Sequence, residues 1–194
     1  MEPVRAFIAI QLPNLIKSAL SELQERLKIG GYTSVKWVAP DSIHLTIKFL
    51  GDIDSGAVPT ITEAISEASR DILQFQLELT EAGAFPNLRT PRVVWVGIGG
   101  DTDKLTIIRE NLERALIPSG FVPEKRAFSP HLTLGRVRER ASSDERRRLG
   151  EAIATIELAA TPSFTVDSIS LMRSILTRER ALYSCLSSID LPGG

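Results

Sequence analysis

Both histidines of this chain sit in the same four-residue phrase, His44-Leu45-Thr46-Ile47 and His131-Leu132-Thr133-Leu134, at an offset of 87 residues. Alternation of this kind fits a strand with one face buried, so His and Thr at i and i+2 point the same way. At ordinary composition a given His is followed by apolar-Thr-apolar roughly one time in a hundred. Two such phrases are therefore a signal where one is not. Sliding the chain against itself by the same offset aligns more than the phrases. Phe7 to Ile10 falls on Val94 to Gly97, Leu15 to Lys28 on Thr102 to Ala115, Ser42 on Ser129, Val58 to Arg70 on Glu145 to Glu157, and Gln76 to Leu79 on Ser163 to Val166. A period this long is not that of a solenoid. It predicts a duplicated unit of strand, helix, His-strand, helix and strand. A pseudo-two-fold axis would then bring the two His strands towards each other.

The local patterns fill in this frame. Arg5 to Leu12 reads as a buried strand, and Leu15, Ala19, Leu23 and Leu27 recur at helical spacing before Gly30-Gly31. Val35 to Val38 is a short extended piece. Ile43 to Leu50 is the first His strand, with Gly51-Asp52 turning the chain. Val58 to Arg70 is helical, and Leu73 to Ala84 alternates as a half-buried strand. After the loop Phe85 to Pro91, Arg92 to Ile98 is a strand broken by Gly99-Gly100. Asp101 then caps a helix running to about Ile117. The second His strand, a helix over Asp144 to Ile156, and strands Phe164 to Met172 and Ala181 to Ile189 across the polar loop Arg173 to Arg180 complete the chain. The expected organisation is one domain over 1–194, with lobe-forming half-repeats over about 5–84 and 92–170 and a terminal strand at 181–190. Alternating helices and strands usually give a parallel sheet. Several of these strands are polar on one face, which antiparallel sheets tolerate. The expected class is therefore α+β: a bilobal pseudo-two-fold duplication of two antiparallel or mixed sheets, helices on their outer faces and an active-site cleft between them.

Composition narrows the function. A net charge of −1 over 194 residues does not advertise a nucleic-acid binder, so any anion site must be local. The single cysteine, Cys185, excludes an intrachain disulfide and fits a reducing compartment; it reads as a small buried hydrophobe in the last strand. No charged segment followed by a long apolar stretch opens the sequence, and no apolar run approaches a membrane span. The expected location is the cytoplasm, with no membrane and no obligate protein partner.

Two imidazoles and two hydroxyls facing one cleft form a kit for acid–base chemistry on a phosphate ester. Imidazole titrates near neutrality, so one ring can be neutral and the other protonated in the same site. Thr46 and Thr133 are placed to donate to non-bridging phosphate oxygens. A zinc site needs three or four protein ligands, and neither a third ligand nor an HExxH spacing accompanies these histidines, so no metal and no cofactor is expected. Nucleophile elbows, dinucleotide fingerprints and P-loops are absent from the sequence.

The duplicated phrases resemble those of the 2H phosphoesterase superfamily, and within it the bacterial and archaeal RNA 2′,3′-cyclic phosphodiesterases, also called 2′-5′ RNA ligases. The resemblance runs from Arg5-Ala6-Phe7-Ile8-Ala9-Ile10 through Trp37-Val38, His44 to Gly51, Pro91 to Trp95 and Phe128 to Arg136, to Ser174 and Tyr183. It implies a bilobal α+β fold and metal-independent hydrolysis of an RNA terminal 2′,3′-cyclic phosphate to a 2′-phosphate. The same site can run in reverse as a ligase. It implies His44 as proton donor and His131 as proton acceptor, an order the residues alone leave open. Beside these, Lys48 is expected on the face of Thr46, adding positive charge. Arg126 and Arg136 are candidate anion contacts, and Trp37, Phe128 and Tyr183 are candidates to stack a base, with Phe7 better suited to core packing. The other reading is a nucleotide or RNA-end binding module without catalysis.

Overall fold

The computed structural model describes residues 3–158, 162–176 and 181–193. Among these described residues, nine strands and four α-helices follow in the order β1 (Pro3–Gln11), α1 (Asn14–Lys28), β2 (Val35–Trp37), β3 (His44–Asp54), α2 (Val58–Ser69), β4 (Phe75–Phe85), β5 (Val93–Gly100), α3 (Thr102–Ala115), β6 (His131–Val137), α4 (Ser143–Thr155), β7 (Ser163–Val166), β8 (Ser168–Leu176) and β9 (Ala181–Asp190). The strands form two sheets, a four-stranded one in the order β3-β1-β8-β9 and a five-stranded one in the order β2-β6-β5-β4-β7. Every recorded pairing is antiparallel. Antiparallel pairing lets each sheet keep one polar face, which is what the alternating strands required.

The sequence halves do not map one to a lobe. The four-stranded sheet takes β1 and β3 from the first half and β8 and β9 from the C-terminal end; β2 and β4 of the first half join β5 and β6 in the other sheet. The helices cross as well. Helices α2 and α3 pack together behind the four-stranded sheet, α2 on β8 and β9, and α3 on β3. Helix α4 lies on β4, and α1 reaches the back of β6 through Gln24. Strand exchange of this kind buries the edge that each half would otherwise expose. One contiguous apolar core, from Ile8, Ile16, Leu20 and Leu45 to Leu105, Leu132, Leu149 and Leu171, joins the helix layers to both sheets. At 25 cal/mol per Å², each such buried aliphatic side chain contributes about 1.5–3 kcal/mol.

Local departures from the sequence reading have simple causes. Gly51-Asp52 does not turn the chain: β3 continues to Asp54, and Gly51 at φ +73° absorbs an irregularity in its pairing with β1. Gly99 and Gly100 stay within β5, paired with Glu78 and Leu77. A Cβ on Gly100 would come 2.6 Å from Gln76 O. Asp101 makes no cap bond to its helix; its carboxylate accepts from Gln76 N at 3.2 Å and pairs with Lys104. Cys185 is exposed, because it pairs with Met172 on the face turned to the cavity beside His44 and not to the helices. Part of the polar loop expected between the last two strands, 177–180, lies outside the described residues. Among the described residues no helix is long and apolar enough to cross a membrane.

Candidate active site

The site begins on β1 and β3. Gln11 pairs with His44 and Ala9 with Thr46, so Phe7, Ala9, His44 and Thr46 share the face turned away from the helices. Phe7 lies flat against His44, ring centroids 4.5 Å apart and planes 25° apart. Tyr183, on β9, meets both rings edge-on, at 5.3 Å from Phe7 and 4.8 Å from His44. Phe7, Ala9 and Met172, with Tyr183 against them, form an apolar island separate from the main core. Burial in that island pulls the His44 pKa from 6.5 down to about 4, against a hydrogen bond to the Ser42 backbone that works to raise it. A cavity of about 130 Å³ opens beside the ring, walled by Gln11, Lys17, Asp41, Met172, Tyr183 and Cys185.

The facing half is built alike on β5 and β6. His131 pairs with Gly97 and Thr133 with Trp95. The His131 Nδ1 lies 2.8 Å from the Ser129 carbonyl. A carbonyl only accepts, so Nδ1 carries a hydrogen, and in the neutral ring Nε2 is the nitrogen that can accept a proton. Ser42 and Ser129 stand two residues before their histidines, so both rings are oriented by the same local device. Phe85 meets the edge of the His131 ring at 5.0 Å and leans on Trp95 at 5.1 Å. Strands β3 and β6 touch, so the two sheets that carry the His-x-Thr phrases meet along these strands. Among the described residues no three His, Cys, Asp or Glu side chains gather as a metal-binding group.

The other sequence candidates scatter, and a pair of β-bulges decides where they go. In β3, Thr46 opposes Ala9 but Lys48 opposes Ile8, leaving Ile47 as the extra residue. In β6, Thr133 opposes Trp95 but Gly135 opposes Val94, leaving Leu134 extra. Each bulge reverses the alternation of faces. Lys48 therefore does not share the face of Thr46. It points to the helix layer, is 4% exposed, and sits 2.6 Å from Glu113 on α3. The residue carried onto the cleft face in its place is Phe49, which pairs with Phe7 in the ladder and is 68% exposed. Its equivalent after the second bulge is Arg136, which lies opposite Val93 and close enough to Tyr183 for its charge to oppose the rise that burial imposes on the tyrosine hydroxyl.

Trp37 lies on the core side. It pairs with Gly135, whose missing side chain makes room for the indole: a Cβ there would come 3.1 Å from Trp37 Cε3. Phe128 packs against the core, with the Arg109 guanidinium 4.8 Å above its ring. Arg126 is exposed on the irregular segment before β6. Of the stacking candidates, Tyr183 alone reaches the histidines, and Phe7, expected in the core, forms the floor beneath His44. Phe49 escaped the sequence reading because strict alternation assigns it to the buried side.

The comparisons with known proteins agree with this architecture. The family model for LigT-like phosphoesterases matches the chain twice, over residues 10–95 and 98–183. The chain is 34% identical to an RNA 2′,3′-cyclic phosphodiesterase of Methanothermobacter thermautotrophicus over 181 residues, 93% of this chain and 95% of the relative. It is 37% identical to one of Aeropyrum pernix over 170 residues, 88% and 93% of the two chains. Among solved structures it is similar to a Thermus thermophilus protein at a TM-score of 0.78 and 25% identity, covering 97% of this chain and 98% of that one. It is also similar to Escherichia coli LigT complexed with 3′-AMP, at a TM-score of 0.73 and 27% identity over 98% and 99%. Two matches of one family model, falling on the two halves that each carry a His-x-Thr phrase, place the chain in the LigT-like family of 2H phosphoesterases.

Proposed function

We propose that this chain hydrolyses the 2′,3′-cyclic phosphate at an RNA end to a 2′-phosphate and a free 3′-hydroxyl, using His44 and His131 and no metal. The observation that carries the reading is the matched pair of imidazoles, each oriented from two residues upstream and each followed by a threonine on the same face. The names of the relatives and the bound 3′-AMP of one structural neighbour support the substrate class.

Chemically, His131 Nε2 takes a proton from water as the water oxygen attacks phosphorus. The bond from phosphorus to O3′ breaks, and His44 gives its proton to O3′. Thr46 and Thr133 donate to the non-bridging oxygens, where charge is concentrated in the transition state. Solvent then returns a proton to His44 and removes one from His131. Arg136 adds positive charge on the cleft face, Phe49 and Tyr183 offer aromatic surface to the nucleoside, and exposed Arg126 is a further candidate for the anionic backbone. With an RNA 5′-hydroxyl in place of water as the entering group, the same attack breaks the bond from phosphorus to O3′, His44 protonates O3′, and the two ends are joined through a 2′-5′ diester. The expected setting is the cytoplasm.

The test is incubation with adenosine 2′,3′-cyclic phosphate in EDTA, with the two monophosphate products resolved. Adenosine 2′-monophosphate as the sole product supports the reading. Loss of turnover in chelator with recovery on adding zinc or manganese refutes the two-histidine mechanism. Binding without turnover identifies a binding module instead.

A further inference from the structure

The two bulges sit at equivalent places, at Ile47 and Leu134, one residue past each threonine. Each is fastened from behind to the first helix of the opposite half by one buried polar side chain, Gln24 of α1 at the second bulge and Lys48 of β3, reaching Glu113 of α3, at the first. Behind the second bulge lies Gln24 of α1, with 0% exposure. Its Nε2 donates to Leu134 O and Val38 O, both at 2.8 Å. These bonds tie the extra residue of β6 to the end of β2. Behind the first bulge lies Lys48, 2.6 Å from Glu113 of α3 and 3.4 Å from Val122 O. Arg109, one turn before Glu113, pairs with both Glu113 and Glu124. The pin on β3 thus also anchors the segment that leads to Ser129 and His131.

Stability alone does not account for these groups. Gln24 keeps a buried Oε1 without a partner among the described residues, a cost that an apolar residue of the same size would avoid. Buried ion pairs are commonly replaceable by hydrophobic residues at no loss of stability. What the polar groups do supply is geometry. Without the bulges, Lys48 and Gly135 would face the cleft, and Phe49 and Arg136 would turn towards the core.

We infer that Gln24 and the Lys48–Glu113 pair are positioning residues, which hold the matched bulges and thereby turn Arg136 and Phe49 into the cleft. In this arrangement Gln24 governs the grip on phosphate through Arg136, and Lys48–Glu113 governs the grip on the nucleoside through Phe49. The inference rests on the proposed hydrolysis.

Two double-mutant cycles on kcat/KM for adenosine 2′,3′-cyclic phosphate test it, one pairing Gln24→Met with Arg136→Ala, the other pairing Lys48→Met/Glu113→Met with Phe49→Ala. Within each cycle the second substitution should cost at least about fivefold less than it does in the wild type. The crossed combination, Gln24→Met with Phe49→Ala, should be additive. Thermal melts confirm that each variant is folded, and Gln24→Asn, which keeps the amide but shortens its reach, replaces Gln24→Met if the latter does not fold. Additive cycles in an active protein overturn the inference alone, because a merely structural residue lowers stability without coupling to the cleft. No turnover by the wild-type protein overturns the proposed hydrolysis and takes the inference with it.

Discussion

In the proposed hydrolysis His44 gives up a proton, yet burial holds its ring neutral. Its ring lies between the face of Phe7 and the edge of Tyr183, and burial brings its pKa from 6.5 down to about 4. A displacement of that size corresponds to about 3 kcal/mol against the charged form. At pH 7 only roughly one molecule in a thousand carries the proton. The substrate supplies the missing charge. A phosphate anion about 4 Å from the imidazole, at an effective dielectric of about 20, favours protonation by about 4 kcal/mol. The two magnitudes nearly cancel, so a bound phosphate should raise the protonated fraction of His44 to around one half at neutral pH.

The chain has only two histidines, so imidazole NMR resolves the question, with His131→Ala assigning the signals. One ring should titrate near 4 in the free protein and move towards neutrality on saturation with inorganic phosphate or adenosine 2′-monophosphate. Tyr183→Ser, which opens one wall of the cage, should move the free value upward. The same displacement sets a stability profile. Above 6.5 the folded and unfolded states are both neutral at this position. As pH falls from 6.5 to 4 the unfolded chain takes the proton first, and up to about 3 kcal/mol of stability is lost across that window. Urea melts between those limits measure it against His44→Gln, which should lack the slope. A free His44 titrating at 6.5 refutes the burial argument, and a value that stays near 4 with phosphate bound refutes substrate-assisted protonation and removes His44 as the donor.

The remaining predictions concern single positions. His44→Ala and His131→Ala should each lower kcat by about 10² or more, and the double variant should fall far short of the product of the two, since the rings act as a unit; steady-state turnover at saturating substrate decides it, and a near-wild-type rate in either single variant removes that ring from the chemistry. Thr46→Val and Thr133→Val keep shape and strand propensity but lose the donor, so each should slow turnover by about 10- to 1000-fold with the limbs of the pH–rate profile in place; silent rates at both positions refute phosphate contact. Arg136→Ala and Phe49→Ala should raise KM more than they lower kcat, whereas Trp37, on the core side, should act through stability when it is truncated; Trp37→Leu with an unchanged melting temperature and a raised KM contradicts its placement. Gly150→Ala should destabilise the fold although Ala is the better helix former by about 1 kcal/mol, because a Cβ on α4 there overlaps the Leu88 carbonyl; a rise in melting temperature refutes the packing.

The features legible in the sequence were those carried by period and phrase. Alternation located both His strands, the apolar 3.6-residue period located the helices, and the offset of 87 aligned Ser42 with Ser129, whose backbone groups orient the two rings. What stayed hidden depends on pairing. The parity of a strand is a property of two strands together, so the bulges at Ile47 and Leu134 leave no mark in a one-dimensional pattern. That is why Lys48 reads as a cleft residue and Phe49 as a buried one, the reverse of their places. Trp37 was misplaced for a related reason: its partner is a glycine nearly a hundred positions away, and the room that this glycine leaves is visible only once β2 and β6 are paired. The exchange of strands between halves is likewise invisible, since each half reads the same whether its last strand pairs at home or across.

Duplication explains why the halves share what they share, and the proposed substrate accounts for where they part. Both halves keep the imidazole, the hydroxyl, the orienting serine and the bulge, as the proposed in-line displacement requires, since it needs proton transfer on two opposite sides of one phosphorus atom. A cyclic nucleotide end is not symmetric: one side carries the anionic phosphate and the other a ribose and base. At the equivalent positions after the bulge the chain places a guanidinium in one half and a phenyl ring in the other, Arg136 and Phe49. The anchors behind them differ as well. Lys48 is long enough to reach α3, whereas its equivalent Gly135 leaves room for the Trp37 indole, and Gln24 bonds the carbonyl of that bulge. On the proposed reading, a symmetric scaffold thus presents an asymmetric cleft through four positions, Arg136 and Phe49 facing the substrate, and Gln24 and Lys48 determining which way those two face.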